Sequence, residues 1–266
     1  MIFKGEKDEI ILENNVVSEN NKKVKKFGVL LCADESEYVK EKYGGYFGVF
    51  VRMLSEEGEK WDLFRVILNE FPSDEEVEFY DGFVITGSCS DAHSNDFWIC
   101  KLVSFLHKLD FLKKKVLGIC FGHQILARSL GGKTGRATSG WDIGLRTIHF
   151  SSSSNKILST FKIPSTLNII ECHQDVVLEV PAKVEVIGRS NKTTIEMFKY
   201  GDHMMGIQGH PEYNIDILLH LLDRLLLKHL IGVKYADELR TKFMDACEPD
   251  KEAWRKLCVN FIKGRL

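Results

Sequence analysis

The sequence predicts an α/β fold, with a mostly parallel central sheet flanked by helices and a small antiparallel extension. Two observations predict it. From Phe27 to Leu130, short apolar runs of strand length alternate with segments of helical periodicity, the order that builds a parallel sheet covered on both faces. From Trp141 to Gln208, short β-type runs succeed one another through turns, which suits a mixed or antiparallel extension.

Each element has its own warrant. Residues 27–33 form a continuous apolar run, the pattern of a buried strand. Phe47, Phe50, Val51 and Leu54 fall at helical spacing. Residues 64–68 read as a second strand and 82–85 as a third, which ends at Thr86-Gly87-Ser88. Trp98, Leu102, Phe105 and Leu109 share one helix face. Residues 115–119 are another buried-type strand, succeeded at once by a helix over 122–130 that Gly131-Gly132 closes. The later β-type runs are 146–150, 167–171, 184–187 and 204–208, and helical segments at 215–230, 235–246 and 251–263 complete the chain. This order predicts one domain over residues 27–266, preceded by a flexible extension of residues 1–26.

Composition narrows the functional class. The 266 residues carry 36 basic and 38 acidic side chains, and this near balance gives no general basic field for nucleic acid. Seven scattered cysteines, an odd number with no Cys-x-x-Cys pair, argue against a disulfide framework and a zinc site. Reduced thiols in the cytosol are the expectation. The extension lacks the apolar core of a signal peptide. The apolar stretch 215–230 is interrupted by Asp216, His220, Asp223, Arg224 and Lys228, so no membrane span is expected.

Three segments carry chemistry. Gly118-Ile119-Cys120-Phe121-Gly122 is a Gly-x-Cys-x-Gly turn between a strand and a helix, the thiol form of a nucleophile elbow. Small neighbours let the chain double back, and the side chain is held above the carboxyl end of the sheet. The N–H groups of the helix after it are expected to favour the thiolate. The second segment, Gly209-His210-Pro211-Glu212, ends an apolar strand. His210 is placed to act as general base to Cys120, and Glu212 to fix its tautomer. The third is the loop Thr86-Gly87-Ser88-Cys89-Ser90-Asp91, where Gly87 and Ser88 expose backbone N–H groups. Together with the N–H of Phe121 they could form an oxyanion hole. Cys89 and Cys172 are placed in loops near the site and Cys32 at the end of the first strand, with burial as their ordinary role.

Together these residues resemble the class I glutamine amidotransferase family, whose triad is Cys-His-Glu. Gly-Ile-Cys-Phe-Gly-His-Gln and Gly-His-Pro-Glu match its signatures in order, with Cys120 and His210 90 residues apart. The resemblance spans about residues 27–230 and implies a flavodoxin-like domain with Cys120 as nucleophile, His210 as acid/base and Glu212 as its orienter. It also implies that Gln124, His173 and Asp175 lie beside the substrate. Where many members have Gly-Gly-Pro, this chain has Gly87-Ser88-Cys89. Thr86-Gly-Ser-x-x-Asp-Ala92, Tyr43-Gly-Gly-Tyr46, Phe71-Pro72 and Gly264-Arg-Leu266 look more like the plant γ-glutamyl peptidases, which remove γ-glutamate from glutathione and its conjugates. The resemblance therefore implies a cofactor-free cysteine hydrolase of the γ-glutamyl amide bond, acting on a small γ-glutamyl substrate. Two other readings stand beside it: the glutaminase subunit of a two-chain amidotransferase, and a catalytically silent binding or regulatory relative. Oligomeric state is left open.

Overall fold

Residues 24–244 and 248–266 are described by the computed structural model. Residues 1–23 of the expected extension lie outside them, as does Cys247. In chain order come β1 (Lys26–Leu30), α1 (Glu37–Tyr43), α2 (Gly45–Leu54), β2 (Lys60–Phe64), β3 (Gly82–Ile85), α3 (Phe97–Phe111), β4 (Lys115–Ile119) and α4 (Phe121–Ser129). Next are β5 (Lys133–Arg136), β6 (Asp142–Phe150), α5 (Asn155–Phe161), β7 (Thr166–His173), β8 (Asp175–Glu179), β9 (Glu185–Arg189), β10 (Met197–Tyr200) and β11 (Met204–Ile207). The order ends with α6 (Ile215–Leu227), α7 (Val233–Met244) and α8 (Lys251–Ile262).

A nine-stranded sheet has the order β2-β1-β3-β4-β11-β10-β9-β6-β7. Neighbours from β2 to β11 are parallel, and every pair beyond β11 is antiparallel. β5 and β8 form a separate antiparallel pair. The expected parallel sheet with an antiparallel extension is thus the observed one. β3 and β11 are buried along their whole length, because helices cover both faces. On one face Leu102 and Phe105 of α3 pack with Phe121 and Leu126 of α4. On the other, Phe50 and Leu54 of α2 meet Trp254, Leu257 and Phe261 of α8.

The sheet corrects the reading in several places. The second strand is Lys60–Phe64, whereas Val66–Leu68 makes a single 3-10 turn ended by Asn69 at φ 67°. Lys60-Trp-Asp-Leu-Phe64 alternates polar and apolar residues because β2 is an edge strand, nowhere fully buried. Lys26, taken as the last residue of the extension, already pairs with Lys60. α1 escapes a periodicity test because only Val39 of its seven residues is buried. It is held instead by its ends, with Ser36 accepting from the Val39 N–H and Gly44 closing the helix at φ 69°. Cys172 lies on β7 and not in a loop.

α6 is tied to α1 by a buttress centred on Asp216. Its carboxylate accepts from the Tyr38 and Tyr43 hydroxyls, each at 2.6 Å, and pairs with the Lys42 ammonium at 2.8 Å. Lys42, Tyr38 and Tyr43 pull the Asp216 pKa down to about 2. A carboxyl lowered on folding contributes stability above its unfolded pKa, near 4, and loses it as pH falls toward 2. Asp216→Asn is therefore expected to lower the thermal midpoint at neutral pH and to flatten the acid limb between about pH 4 and 2. Thermal scans of both proteins across that range check it.

Candidate active site

Four parallel strands end at the same edge of the sheet, and the loops after them make one cleft of about 410 Å3. β1 leads into Asp34, β3 into Thr86-Gly87-Ser88, β4 into Cys120 and β11 into His210, all of which line it or its mouth. The carboxyl end of a parallel sheet is where open α/β folds seat ligands.

Cys120 sits between β4 and α4 with φ 53° and ψ −103°, a strained backbone for a residue with a side chain. The flanking glycines explain how the turn closes. A methyl on Gly118 would collide with the Gly122 carbonyl, and one on Gly122 would stand 2.5 Å from the Ile85 carbonyl of β3. The thiol is 6% exposed at the floor of the cleft. Burial, then Cys172, Glu171 and Glu212, push its pKa well above the ordinary thiol value, while the Phe121 N–H opposes them. The helix N–H expected to favour the thiolate thus works against burial and these neighbours, which is consistent with the need for a nearby base.

His210, the expected base, lines the same cleft. Nδ1–H of His210 donates to Oε1 of Glu212 at 2.8 Å, which leaves Nε2 free to accept a proton. Both side chains are buried, at 3% and 1% exposure. The His210 N–H donates to the Ile170 carbonyl of β7 at 2.7 Å, anchoring the turn to the antiparallel half of the sheet. Tyr213 stacks on the imidazole with centroids 3.9 Å apart and planes 3° from parallel. Sequence reasoning missed this partner, although it comes directly after His-Pro-Glu. Gly87 bridges the two halves of the site. A methyl there would stand 2.9 Å from Cε1 of His210 and 3.6 Å from Cβ of Cys120.

Gly87 and Ser88 line the cleft beside Cys120, and the Thr86 hydroxyl holds their loop by accepting from the Cys32 N–H at 3.0 Å. Gln124, His173 and Asp175 also line it, though each is engaged with the protein. Gln124 donates to the Asp175 carbonyl at 2.8 Å and to Gln208 at 3.2 Å. Nδ1–H of His173 donates to the Asp175 carbonyl at 3.0 Å. The Asp175 carboxylate pairs with Arg136 at 3.1 Å, and Arg136 also reaches Asp91 at 3.2 Å. Asp91, His93 and Asp175 stand close enough to share a cation, but this guanidinium already neutralises the two carboxylates.

The far wall comes from α6 and the short segment after it, through Leu221, Arg224, Leu225, Lys228 and Leu230. Among the described residues no carboxylate pairs with Arg224 or Lys228. Sequence reasoning read these cations only as interruptions of an apolar stretch.

A parallel-sheet edge bearing a cysteine elbow, a histidine–glutamate pair and a glycine loop has the parts that thiol-dependent acyl transfer needs. Residues 39–219 match the family described as Glutamine amidotransferase class-I, and the chain belongs to that family. Within it, the chain is 51% identical to Gamma-glutamyl peptidase 5 of Arabidopsis thaliana over 243 residues, 91% of this chain and 96% of that protein. It is 49% identical to Gamma-glutamyl peptidase 3 of the same plant, over 90% of this chain and 97% of the relative. A crystal structure of a glutamine amidotransferase from Thermotoga maritima superposes with a TM-score of 0.66 at 20% identity, covering 91% of this chain and 99% of that one. Among the described residues no helix is long and apolar enough to cross a membrane.

Proposed function

We propose that this hydrolase cleaves the γ-glutamyl amide bond of glutathione or of glutathione S-conjugates, working alone and releasing glutamate. The observation that carries the reading is the convergence of Cys120, the His210–Glu212 pair and the Gly87–Ser88 loop on one cleft. In the first half-reaction Nε2 of His210 takes the Cys120 proton as sulfur attacks the γ-carbonyl carbon. N–H groups of Ser88 and Phe121 stabilise the oxyanion, each by about 3 kcal/mol. The imidazolium then gives its proton to the leaving amine, and a γ-glutamyl thioester remains on Cys120. In the second, His210 deprotonates a water that attacks the thioester, and glutamate leaves as the thiol is restored. Glu212 holds the tautomer and stabilises the imidazolium in both. No step requires a cofactor. Gln124, His173 and Asp175 contribute the wall against which the glutamyl unit lies.

The leaving group is what separates this activity from a glutaminase. Glutamine releases ammonia, whereas glutathione releases a dipeptide with a carboxylate. Arg224 and Lys228, four residues apart on one face at the cleft wall, are free to receive that carboxylate. Leu221, Leu225 and Trp141 offer apolar surface to an S-substituent. Arg224→Ala is expected to raise KM for glutathione by about tenfold or more and to leave hydrolysis of γ-glutamyl methylamide nearly unchanged.

The direct test is free-glutamate release by the purified protein offered glutathione, a glutathione S-conjugate and glutamine in parallel. Release from the first two supports the reading. Release from glutamine alone, rising when a synthase subunit is added, would assign the chain to the two-chain amidotransferases.

A further inference from the structure

Behind the His210 turn lies a buried acidic group that the mechanism does not use. Glu171 of β7 is wholly buried and Glu196, just before β10, is 1% exposed. The two carboxyls lie close enough to act on one another's ionisation. A methyl on Gly209 would collide with the Glu171 carboxyl, so this group is the surface on which the Gln208-Gly209-His210 turn rests. The Gln208 N–H donates to the Glu196 carbonyl at 2.8 Å, which fixes the other side of the turn.

The protons do not add up unless this group holds one of its own. Among the described residues no N–H or O–H donor reaches either of its oxygens. Nε2 of His173 stands 3.3 Å from Oε2, but Nδ1–H of that ring is already spent on the Asp175 carbonyl, so in the neutral ring Nε2 is itself an acceptor. Three acceptors therefore converge, from Glu171, Glu196 and His173, and only a proton held among them relieves the contact. We propose that Glu171 is a positioning residue for the triad: a carboxyl kept protonated between Glu196 and His173, it backs the His210 turn and keeps a negative charge away from the Cys120 thiol.

The surrounding groups support that state. Asp142 and Arg146 of β6, His173 on β7 itself, Glu196 before β10, Glu212 after β11 and Cys120 at the elbow face Glu171. Arg146 pairs with Asp142 at 2.6 Å, and Lys192 reaches the same carboxylate at 3.5 Å, so both cations are committed there. Burial first, and Asp142 next, push Glu171 well above the usual carboxyl range. Burial and then Glu171 push Glu196 up to about 9. Burial pulls His173 down, which keeps the ring neutral. An ionised Glu171 would raise the Cys120 thiol further.

The inference rests on the γ-glutamyl reading for its kinetic arm only. The test compares wild type with Glu171→Gln and Glu171→Ala, using kcat and KM for glutathione and the rate at which iodoacetamide alkylates Cys120, read by peptide mass across pH. Glutamine keeps the shape and cannot ionise. Its kcat near pH 7 should stay within about twofold of wild type, and its Cys120 alkylation should match wild type through neutral pH. Glu171→Ala should lose about tenfold in kcat with KM little changed, because the turn loses its backing. A Glu171→Gln protein whose Cys120 is alkylated severalfold faster than wild type near pH 7 would overturn the inference, since it would show that Glu171 carries a charge there. So would a Glu171→Gln enzyme as impaired as Glu171→Ala, since that would require a charge at this position. Should Glu171→Ala not fold, the glutamine variant decides alone. Alkylation needs no substrate, so a wild-type protein that hydrolyses no γ-glutamyl amide would refute the proposed function without touching this result.

Discussion

Cys120→Ala is expected to lower glutamate release from glutathione by about 10⁴-fold or more, with the folded protein intact. In the proposed reaction the Cys120 sulfur is the atom that forms the bond. Cys89 and Cys172 also line the cleft, yet neither sits on the glycine-flanked elbow that presents Cys120, and burial pushes the Cys172 thiol up to about 12. Cys120→Ser should fall nearly as far. A hydroxyl is a far weaker acid than a thiol, and His210 would have to remove its proton in the same buried surroundings that push the thiol's pKa up. The thermal midpoint should move by no more than about 3 °C, because either change trades one small buried group for another. Two measurements check this: glutamate release, and acyl-adduct mass on the Cys120 peptide after rapid quenching with acid. Wild-type-like turnover by either variant would remove Cys120 from the role of nucleophile.

The elbow and the His-Pro-Glu segment were legible because their geometry is local. Gly118, Cys120 and Gly122 belong to one turn in which the chain must approach its own backbone, and that requirement is written in consecutive residues. Parallel strands were legible where burial on both faces demands an unbroken apolar run, as in β3 and β11. Edge and ribbon strands carry no such demand. β2, β5 and β8 have polar residues on one side, and the pattern does not separate them from loops. The groups that oppose ionisation of the Cys120 thiol were not legible, because Cys172 and its neighbours come near only through the β7 pairing. The Glu171–Glu196 pair and the free cations of α6 are likewise products of tertiary approach. No spacing within the chain announces them.

Gly87→Ala is expected to have the next largest effect, a loss of about 10²-fold or more in kcat with binding little weakened. At Gly87 the added methyl would stand 2.9 Å from Cε1 of His210, closer than real Cβ contacts allow, and 3.6 Å from Cβ of Cys120. The imidazole cannot retreat, because Tyr213 is stacked on it at 3.9 Å and Glu212 holds Nδ1 at 2.8 Å. The loop must therefore withdraw, and Thr86 resists that through its bond to the Cys32 N–H at 3.0 Å. Whichever side gives way, the Ser88 N–H moves off the oxyanion or the imidazole moves off the sulfur. Both losses fall on the transition state more than on the bound substrate, so kcat should drop while KM stays within about threefold. Steady-state kinetics on glutathione, with a thermal scan to confirm folding, check it. An active Gly87→Ala enzyme would show that the loop is not part of the reacting constellation, and the oxyanion would then need donors other than Ser88.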